Sequence, residues 1–589
     1  MSVERRTALA WPEPEFTSEV IEPVPYEPKP ITKRIAIFDT ETDPFLPERI
    51  VKPFTCGFYL PNTNEYWDFW GLDCIAQFVA FIKREFTEKG IELLILCHNF
   101  GNFDAYFCVE HFDSGQKPFL INGRIVRVFI AGQEFRDTYA IMPFALGEFD
   151  KDAIDYRCME TGFRDVFRDK ILSYQKRDCT ALSELVLPWY EIFGDKLTIA
   201  SASLGLLRSY HGFQNMSEAI DSEMRSFYFG GRNQCFDTGI LEGNFKVYDI
   251  NSSYPNSMRN FKHPISSTPF YEEGITERTH FAFIRAYSDG ALPVRKENGG
   301  LDFPIGEGDF YACIHEIRAG IETGTLKILE VYHSIYFDQE ACFDTFVDEM
   351  FGRRLEATEN GDKAKRMHYK YGLNSPYGKF AQDPRKYDNW LFDPDYIPTP
   401  FYCEPCHNRI LKGEPELDCP ACNTEEYSPY GWYLHTVKDG RNIYASPQRV
   451  RASSFYNVAT AASITSASRA SLLRGIQAAT RPVYCDTDSV ICEHMEQANG
   501  IKLDPKELGA WDCEATGDTV CIAGKKLYVI YSDGDAIKKA SKGVKLSANE
   551  IRRVCSGEVI EYANPVPKFS LTKETMFVKR KIRRTANVA

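Results

Sequence analysis

The chain has 589 residues, of which 43% are hydrophobic, 26% charged and 14% aromatic, and its formal net charge is −14. This composition is typical of a globular protein of several domains and excludes wholesale disorder, collagen-like repeats and coiled coils. The acidic balance argues only weakly against a nucleic-acid partner, because an enzyme that binds divalent metals concentrates carboxylates. The apolar runs are shorter than the roughly 20 residues of a membrane span, and the N-terminus lacks the apolar core of a signal peptide. We therefore expect a cytoplasmic protein with reduced thiols and no membrane partner.

Residues 1–33 are rich in Pro and Glu, and this composition predicts a loose leader. Repeated Pro disfavours both a helix and a central strand, and it favours polyproline II or disorder. The alternative is a leader that docks on the folded body through Trp11, Phe16 or Tyr26. We favour the loose form.

An α/β domain is predicted over residues 34–190. Residues 34–38 and 91–97 read as strands, and residues 75–86 between them have helical apolar spacing. Polar residues follow both strands, which is where α/β domains place their functional groups.

Four carboxylates in this domain lie on separate predicted elements. Asp39 and Glu41 are two residues apart at a strand end and share a face, Asp104 follows the second strand, and Asp178 is on a later helix. Converging carboxylates of this kind can hold two divalent metals about 4 Å apart and hydrolyse phosphodiesters. Tyr174 is one helical turn before Asp178, where its hydroxyl could orient the attacking water. Each acid alone is more commonly a surface charge or a cap, and only the ordered set is specific.

A second set of carboxylates is predicted in the other half of the chain. Residues 247–250 read as a strand that carries Asp249, and residues 483–490 read as a hairpin that carries Asp486 and Asp488. Pairing of these strands would bring the three acids together, which is costly without a cation. Mg²⁺ that bridges them to a nucleoside triphosphate is the natural interpretation.

Two helices are predicted between and around these strands, one from Phe343 with apolar residues at helical spacing and one over residues 459–477. Lys363, Arg366 and Lys370 form a basic stripe at helical spacing that leads into Asn374 and Tyr377. Such stripes are usually solvated faces. At this position the stripe indicates a triphosphate clamp.

A cysteine array lies within residues 380–445. Cys403, Cys406, Cys419 and Cys422 form a C-x2-C-x12-C-x2-C pattern, which predicts one tetrahedral structural Zn²⁺. Two disulfides or free thiols are the alternatives, and a reducing compartment with paired knuckles disfavours both.

The sequence motifs of the chain resemble those of a known family. FDTET, HNFGNFD and YQKRD resemble the three exonuclease motifs of proofreading polymerases, and DINSSYP, KYGLNSPYG and YCDTDS resemble motifs A, B and C of family B DNA polymerases. YFGGRN (residues 228–233), LGAW (508–511) and KLY (526–528) resemble the Y-x-G-G element, a palm motif and the primer-holding K-x-Y motif. The short spacing and the long segment before Phe343 resemble the protein-primed subgroup of bacteriophages and linear plasmids.

The resemblance implies roles for individual residues. Exonuclease metal ligands would be Asp39, Glu41, Asp104 and Asp178, assisted by Tyr174 and Lys151, with Thr42, Asn99 and Phe103 on the single-stranded 3′ end. Asp249 and Asp488 would bind the polymerase metals, with Asp486 close by. Tyr254, backed by Tyr377, would exclude a ribose 2′-hydroxyl, and Lys363, Arg366, Lys370 and Asn374 would contact the nucleotide. DNA would be bound by Tyr228, Gly230, Gly231, Lys379, Lys526 and Tyr528, and the segment from Arg136 would contact single strand and terminal protein.

The implied fold class is an α/β and α+β multidomain chain, with an RNase H-like exonuclease domain and a right-hand polymerase that carries a zinc-ribbon insertion. The expected order is a leader (1–33), exonuclease (34–190), palm (191–260), terminal-protein-region-like insertion (261–342), fingers (343–379), second insertion with the zinc ribbon (380–445), palm (446–530) and thumb (531–589). Ser253 and Pro376 depart from the family pattern, with expected effects on packing beneath Tyr254 and on the turn after the fingers helix.

The implied function is template-directed DNA synthesis with 3′→5′ proofreading and strand displacement by a monomer in the host cytoplasm. The expected cofactors are two Mg²⁺ or Mn²⁺ per active site and one Zn²⁺, and the expected partners are primer–template DNA, dNTPs and a terminal priming protein. A family B polymerase that extends ordinary primers or starts de novo is the alternative. A non-catalytic zinc scaffold is a remote one, because every expected carboxylate is present.

Overall fold

The structure is a computed structural model that describes residues 21–43, 51–113, 118–121, 124–144, 153–384, 388–392, 401–402, 409–410, 433–438, 441–447, 455–497, 500–568 and 578–586. Lys151 and the four cysteines of the predicted zinc ribbon, Cys403, Cys406, Cys419 and Cys422, lie outside these ranges. So do Trp11 and Phe16 of the leader.

The N-terminal part of the chain is built on a seven-stranded mixed sheet. Its strands are β1 (Arg34–Thr42), β2 (Pro53–Leu60), β3 (Glu65–Trp70), β4 (Leu93–Cys97), β5 (Phe119–Ile121), β6 (Arg124–Ile130) and β7 (Gln133–Asp137). Their order is β3-β2-β1-β4-β7-β6-β5. Strand β4 is parallel to β1 and to β7, and the other pairs are antiparallel. Both strands predicted in this region are confirmed.

Two helices, α1 (Cys74–Glu85) and α2 (Arg168–Phe193), cover the two faces of this sheet. Helix α1 buries Ile75, Phe78 and Ile82, which recur at helical spacing, against one face. Helix α2 buries its apolar residues, among them Trp189, against the other face around Ile37. Because alternate residues of β1 point to opposite faces, Asp39 and Glu41 lie on the α2 side.

The middle of the chain adds further elements up to residue 380. They are α3 (Ile199–Tyr210), α4 (Glu218–Met224), β8 (Asn233–Cys235), β9 (Gly239–Ile250), α5 (Ser253–Asn260), β10 (His263–Pro264), β11 (Phe270–Glu272), β12 (Phe281–Asp289), β13 (Val294–Arg295), β14 (Leu301–Asp302), β15 (Ile305–Cys313), α6 (Ile314–Glu322), β16 (Leu326–Tyr336), β17 (Glu340–Ala341), α7 (Asp344–Glu359), α8 (Lys363–Asn374) and α9 (Pro376–Phe380). Strands β11, β16, β12 and β15 form an antiparallel sheet between β9 and α7, within the predicted insertion. Helices α7 and α8 pack against each other as a hairpin where the fingers are predicted.

The C-terminal elements complete a second seven-stranded sheet. They are β18 (Asp388–Phe392), β19 (Phe401–Tyr402), β20 (Arg409–Ile410), β21 (Tyr433–Lys438), β22 (Arg441–Pro447), α10 (Val458–Gln477), β23 (Ala479–Thr480), β24 (Tyr484–Asp486), β25 (Ser489–Cys492), β26 (His494–Met495), β27 (Trp511–Gly524), β28 (Leu527–Ser532), β29 (Asp535–Ser541), α11 (Ala548–Cys555), β30 (Ile560–Lys568) and β31 (Val578–Ala586). The sheet is antiparallel, in the order β29-β28-β27-β9-β25-β24-β8. The predicted hairpin is β24–β25.

Helix α10 is the central helix of this part, and almost all of its residues are buried. Its Ala- and Ser-rich sequence lets neighbouring elements approach closely, because small side chains leave room for them. A Cβ atom added to Gly475 would lie only 2.2 Å from the ring of Trp511. The helix begins at Asn457, whose side chain accepts a hydrogen bond from the Thr460 amide (3.1 Å).

Residues 21–33 have no regular secondary structure but are bonded to the body at several points, so the prediction of a loose leader is wrong for this segment. The Tyr26 hydroxyl donates a hydrogen bond to the Phe193 carbonyl oxygen (2.7 Å), as the docked alternative expected. Repeated Pro excluded regular structure but did not prevent docking, because an extended segment can still fill a groove and pair its backbone.

The largest buried apolar cluster is shared by both halves of the chain. It runs from Ile37 of the first sheet through Trp189 and Phe346 to Ala459 of α10. Within the described ranges, no helix is long and apolar enough to cross a membrane.

Candidate active sites

The first carboxylate site lies between β1 and α2. Oxygens of Asp39, Glu41 and Asp178 lie within 4.8 Å of one another. Tyr174, one turn before Asp178, is buried, and burial together with the nearby Asp178 raises its pKa. Three acids this close repel one another unless a cation lies among them, and carboxylate oxygens are the ligands of Mg²⁺ and Mn²⁺. The donor set therefore fits a divalent metal.

Asp104 lies beside this group but not in it. Its buried carboxylate accepts a hydrogen bond from the Thr40 hydroxyl, and burial raises its pKa to about 6. Thr40 alternates with Asp39 and Glu41 along β1, so its side chain is on the opposite face of the strand. Convergence is therefore confirmed for Asp39, Glu41 and Asp178, whereas metal binding by Asp104, whose carboxylate is bonded to Thr40, stays a prediction.

The residues predicted to hold the 3′ end lie at or just after the C-terminal ends of the parallel neighbours β1 and β4. Thr42 ends β1, and Asn99 and Phe103 lie in the turn that follows β4. Asn99 has a left-handed φ of 59°, and the ring of Phe103 packs edge-on against Phe107 at 5.1 Å. The contacts of these side chains with DNA stay a prediction.

Arg136 begins the segment that resembles a contact region for single strand and terminal protein. Its buried guanidinium donates hydrogen bonds to Glu134 (2.7 Å) and Asp195 (2.5 Å), which join β7 to the end of α2. Contact of the segment with single strand and terminal protein stays a prediction.

The second carboxylate site lies on neighbouring strands of the second sheet. Asp249 of β9 is opposite Ser489 of β25, and the Ile250 amide donates to the Asp488 carbonyl oxygen (2.8 Å). Burial, then repulsion by Asp488, raises the pKa of Asp249 to about 8. Burial and the charge of Asp486 raise the pKa of Asp488 to about 6. Two acids under this strain also fit a divalent cation, which would favour their charged forms.

Asp486 is neutralised by a lysine. The Lys526 ammonium lies 2.7 Å from Oδ2 and 2.8 Å from Oδ1 of Asp486. The described structure pairs Asp486 with the predicted primer-binding lysine, while the charge of Asp486 still acts on Asp488. Asp486 is therefore close to the pair of Asp249 and Asp488, and its part in metal binding stays a prediction. Tyr528, the other predicted primer contact, packs its ring 5.0 Å from that of Tyr484.

A pair of tyrosines stands at the end of motif A. The rings of Tyr254 and Tyr377 stack with centroids 4.0 Å apart and planes 18° from parallel. Ser253 does not weaken this region, because its hydroxyl is within hydrogen-bond distance of Ser468 Oγ on α10 (2.7 Å). Pro376 begins α9, where its lack of an amide hydrogen costs no helical bond.

Helix α8 carries the predicted basic stripe on its exposed side. Lys363, Arg366 and Lys370 are exposed, whereas His368 and Leu373 are buried. The Asn374 amide donates to the Lys370 carbonyl oxygen (2.8 Å), so this side chain closes the end of the helix. Lys379 follows; burial lowers its pKa to about 8, and its ammonium lies 5.5 Å from the ring centroid of Tyr456.

Sequence reasoning missed Arg354 of α7. Its guanidinium donates to Ser252 Oγ of motif A (3.1 Å), and burial and the charge of Arg366 lower its pKa. The side chain thus joins the fingers helices to the end of β9, and no spacing rule pointed to it.

The Y-x-G-G segment is clamped from two sides. Tyr228 accepts a hydrogen bond from Arg295 (2.7 Å) at its carbonyl oxygen. Gly231 lies against the turn of motif C, where an added Cβ would be 2.8 Å from Thr487 Oγ1. The absence of a side chain at Gly231 therefore lets this segment approach Thr487 closely, in addition to any contact of Gly231 with DNA.

A second missed pair, Arg469 and Glu316, holds this segment from the core. Arg469 of α10 forms two hydrogen bonds with Glu316 (2.7 and 2.9 Å), and each side chain is only 2% exposed. Arg469 also donates to the carbonyl oxygens of Phe229 (2.7 Å) and Gly230 (2.9 Å). The available sequence signal was Arg469 itself, a charged residue within the Ala- and Ser-rich residues 459–471.

Comparison with known proteins identifies the family. The family model for DNA polymerase type B, organellar and viral, matches residues 153–402. The DNA-directed DNA polymerase of Enterobacteria phage PRD1 is 38% identical over 587 residues, which cover 95% of this chain and 99% of that protein. The chain belongs to the organellar and viral type B DNA polymerases. The family assignment made from the motifs is confirmed, and this type B polymerase is a DNA-directed DNA polymerase.

Two further likenesses involve the Bacillus phage phi29. Its DNA polymerase is 25% identical over 388 residues, 61% of this chain and 59% of that protein. The solved structure of phi29 DNA polymerase complexed with primer-template DNA and incoming nucleotide substrates matches with a TM-score of 0.67 and 17% identity. The match covers 95% of this type B polymerase and 100% of that chain, and it shows a shared fold.

Proposed function

We propose that this type B polymerase has two separate active sites, one for DNA synthesis and one for 3′→5′ proofreading. The observation that carries the proposal is that one family member has two separate carboxylate groups. Asp249 and Asp488 lie on the second sheet and at its β24–β25 turn, and Asp39, Glu41 and Asp178 lie between the first sheet and α2. A single phosphoryl-transfer site would not need both groups.

The second sheet is the palm of the synthetic site. Asp249 and Asp488 would hold Mg²⁺ or Mn²⁺, which supplies charge neutralisation at the triphosphate and lowers the pKa of the attacking hydroxyl. Lys370 and Arg366 would bind the triphosphate, and Tyr254, stacked on Tyr377, would exclude a ribose 2′-hydroxyl. Primer–template DNA and dNTPs are the substrates, the ligands with which the similar phi29 DNA polymerase was solved.

The first sheet is the exonuclease, with an RNase H-like fold. Three antiparallel strands followed by two parallel ones support this fold. Asp39, Glu41 and Asp178 would hold the metals, Tyr174 orients the attacking water, and Thr42, Asn99 and Phe103 grip the frayed end. Asp104 would join the ligands by turning from Thr40.

Complementary variants test the two sites. We expect Asp249→Ala to abolish nucleotide incorporation while single-strand 3′→5′ degradation continues at the wild-type rate. Asp39→Ala combined with Glu41→Ala should do the reverse. The activity that each variant keeps shows that the variant is folded. Synthesis by Asp249→Ala would refute the proposed synthetic site, and undiminished degradation by the double variant would refute the proposed exonuclease site.

We also propose protein-primed initiation with strand displacement. The sheet of β11, β16, β12 and β15 supports this proposal, because it lies between motif A and the fingers, where the protein-primed subgroup carries its terminal-protein region. The test is a template-directed synthesis assay with and without an oligonucleotide primer. A third reaction contains the product of the gene adjacent to the polymerase gene, as the candidate priming protein. Products linked to that protein would support protein priming, and dependence on the oligonucleotide would support the ordinary alternative.

A further inference from the structure

Residues 21–33, hereafter the leader strap, run as an extended segment across the ends of two helices. The helical backbone leaves its last four carbonyl oxygens without intrahelical partners. The strap supplies two of the missing donors: Tyr26 Oη donates to Phe193 O at the end of α2 (2.7 Å), and the Val24 amide donates to Arg208 O in the last turn of α3 (2.9 Å). In return, the Asp195 amide donates to Lys29 O (2.8 Å).

Three glycines form the groove that holds the strap. A Cβ atom added to Gly194, Gly205 or Gly212 would lie 2.6 Å from Lys29 O, 3.0 Å from the Tyr26 ring or 2.2 Å from Ile21 O. Gly194 also has a left-handed φ of 65°. Burial raises the pKa of Tyr26 to about 12, as expected for a ring that is packed rather than solvated. The groove is thus shaped for this segment.

The two ends of the strap are attached to different halves of the chain. At one end, the Ile21 amide donates to Gln339 Oε1 (3.3 Å), between β16 and β17. At the other end, Lys33 forms an ion pair with Glu134 of the first sheet (2.8 Å). Glu134 is in turn bonded to Arg136, which holds Asp195 at the end of α2.

Helix α3, which supports the strap, also carries the fingers. It packs against α7, α8 and α9, and its Ser203 hydroxyl donates to the Gly372 carbonyl oxygen of α8. The strap therefore connects the first sheet, the insertion and the base of the fingers through one helix.

We propose that the leader strap is an intramolecular clamp that fixes the exonuclease part relative to the polymerase part. It thereby sets how efficiently a primer end passes from one carboxylate site to the other without leaving the protein. This inference rests on the proposed function, because it requires both sites. A transfer between two sites depends on their relative placement, which small shifts degrade, whereas the chemistry at each site does not depend on the strap.

Two variants of the full-length protein test the clamp from opposite sides. Tyr26→Ala removes the ring and its hydrogen bond. Gly205→Ala keeps Tyr26 but crowds its ring, while alanine favours the α3 helix itself by about 1 kcal/mol. Tyr332→Ala is the matched control, since Tyr332 is exposed and its hydroxyl donates to Asp309 (2.9 Å) far along the chain from the strap.

Three measurements are made on each protein: single-strand degradation, single-nucleotide insertion on a matched primer, and correction of a mismatched primer in the presence of excess unlabelled trap DNA. We expect the first two rates to stay within about twofold of wild type. Correction without dissociation should fall roughly fivefold in both strap variants and should be unchanged in the control. Fivefold is the lower end of the effects by which two coupled sites typically influence each other.

Normal transfer in both strap variants would overturn the clamp. Hydrogen exchange of the wild-type protein gives a test that is independent of how the variants fold: the Val24 and Asp195 amides should exchange slowly, and rapid exchange at both would overturn docking of the strap. If the wild-type protein itself showed no degradation or no insertion, the proposed function would be refuted instead.

Discussion

At the scale of single residues, two half-buried acids of the second carboxylate site repel each other. Asp249 is on β9 and Asp488 is in the turn before β25, and burial and repulsion by Asp488 raise the pKa of Asp249 to about 8. The ordinary value is near 4, so in the absence of metal the folded protein holds a proton that the unfolded chain releases above pH 4. This contribution to stability is present at low pH and is lost as the pH rises through 8.

The first prediction concerns Asp249→Asn. Asparagine carries no charge, so in the presence of a chelator at pH 8 we expect this variant to be more stable than wild type, by at least about 1 kcal/mol. Mg²⁺ should stabilise wild type more than the variant, because the variant keeps only the site of Asp39, Glu41 and Asp178. The variant should also lose nucleotide insertion. Urea unfolding at pH 5 and pH 8, with and without Mg²⁺, checks this. Equal stability at pH 8 without metal would contradict the charge strain.

The second prediction concerns the buried pair of Arg469 and Glu316. Removing one partner leaves the other charge buried, so Arg469→Ala should cost about 3–5 kcal/mol of stability. Arg469→Met combined with Glu316→Leu removes both charges and should recover much of that loss. Nucleotide insertion should be reduced in Arg469→Ala and in the double variant alike, because in both the carbonyl oxygens of Phe229 and Gly230 lack their hydrogen-bond donor. Unfolding and insertion measured together test this, and a double variant no more stable than Arg469→Ala would contradict it.

At the scale of elements, helix α8 shows how one periodicity gives two roles. Residues at helical spacing bury His368 and Leu373 on one side and expose Lys363, Arg366 and Lys370 on the other. The buried side fixes the helix against α2 and α3, so the basic side has a defined position relative to motif A.

The third prediction is made for this basic side. Lys370→Ala and Arg366→Ala should each raise the KM for dNTPs about tenfold or more, the value of one charge-assisted hydrogen bond. Lys365→Ala is the control on the same helix, because Lys365 lies 3.8 Å from Glu191 and 3.9 Å from Asp362 and so has protein partners. Steady-state insertion kinetics on a fixed primer–template measure the effect. An equal change in the control would mean that the stripe acts through general charge alone.

At the scale of the whole molecule, one apolar cluster extends from the first sheet to the fingers helices and α10, yet the two carboxylate sites are separate. The shared core holds the halves together, and the strap adds a second connection across them. Because the sites are separate, we expect that each activity can be disabled alone. The predicted zinc ribbon lies outside the described residues and stays a prediction.

The fourth prediction concerns that ribbon. Metal analysis of the purified protein should find about one equivalent of zinc, the stoichiometry of four thiolates. Cys403→Ser combined with Cys406→Ser should lose the metal and impair strand displacement or initiation, while single-nucleotide insertion remains. Cys513→Ser, at an exposed cysteine of β27, is the control and should keep the zinc. A zinc-free wild-type protein would refute the ribbon.

Local sequence patterns were sufficient for the elements that carry the chemistry. The strands of Asp39 and Asp249, the hairpin of Asp488, the basic face of α8 and the long helix α10 follow from apolar periodicity and turn residues, which act over a few neighbours. The ordered motifs identified the family, because each motif places its residue types at short, fixed spacings.

Only the tertiary structure decided how distant side chains are paired. Asp486 binds Lys526, Asp104 turns to Thr40, and Arg469 finds Glu316 across 153 residues. The leader docks because glycines of α3 and its neighbours leave it a groove, which its own Pro-rich sequence does not reveal. Sequence periodicity determines which face of an element is buried, whereas the partner of a buried charge depends on which other elements fold against that face.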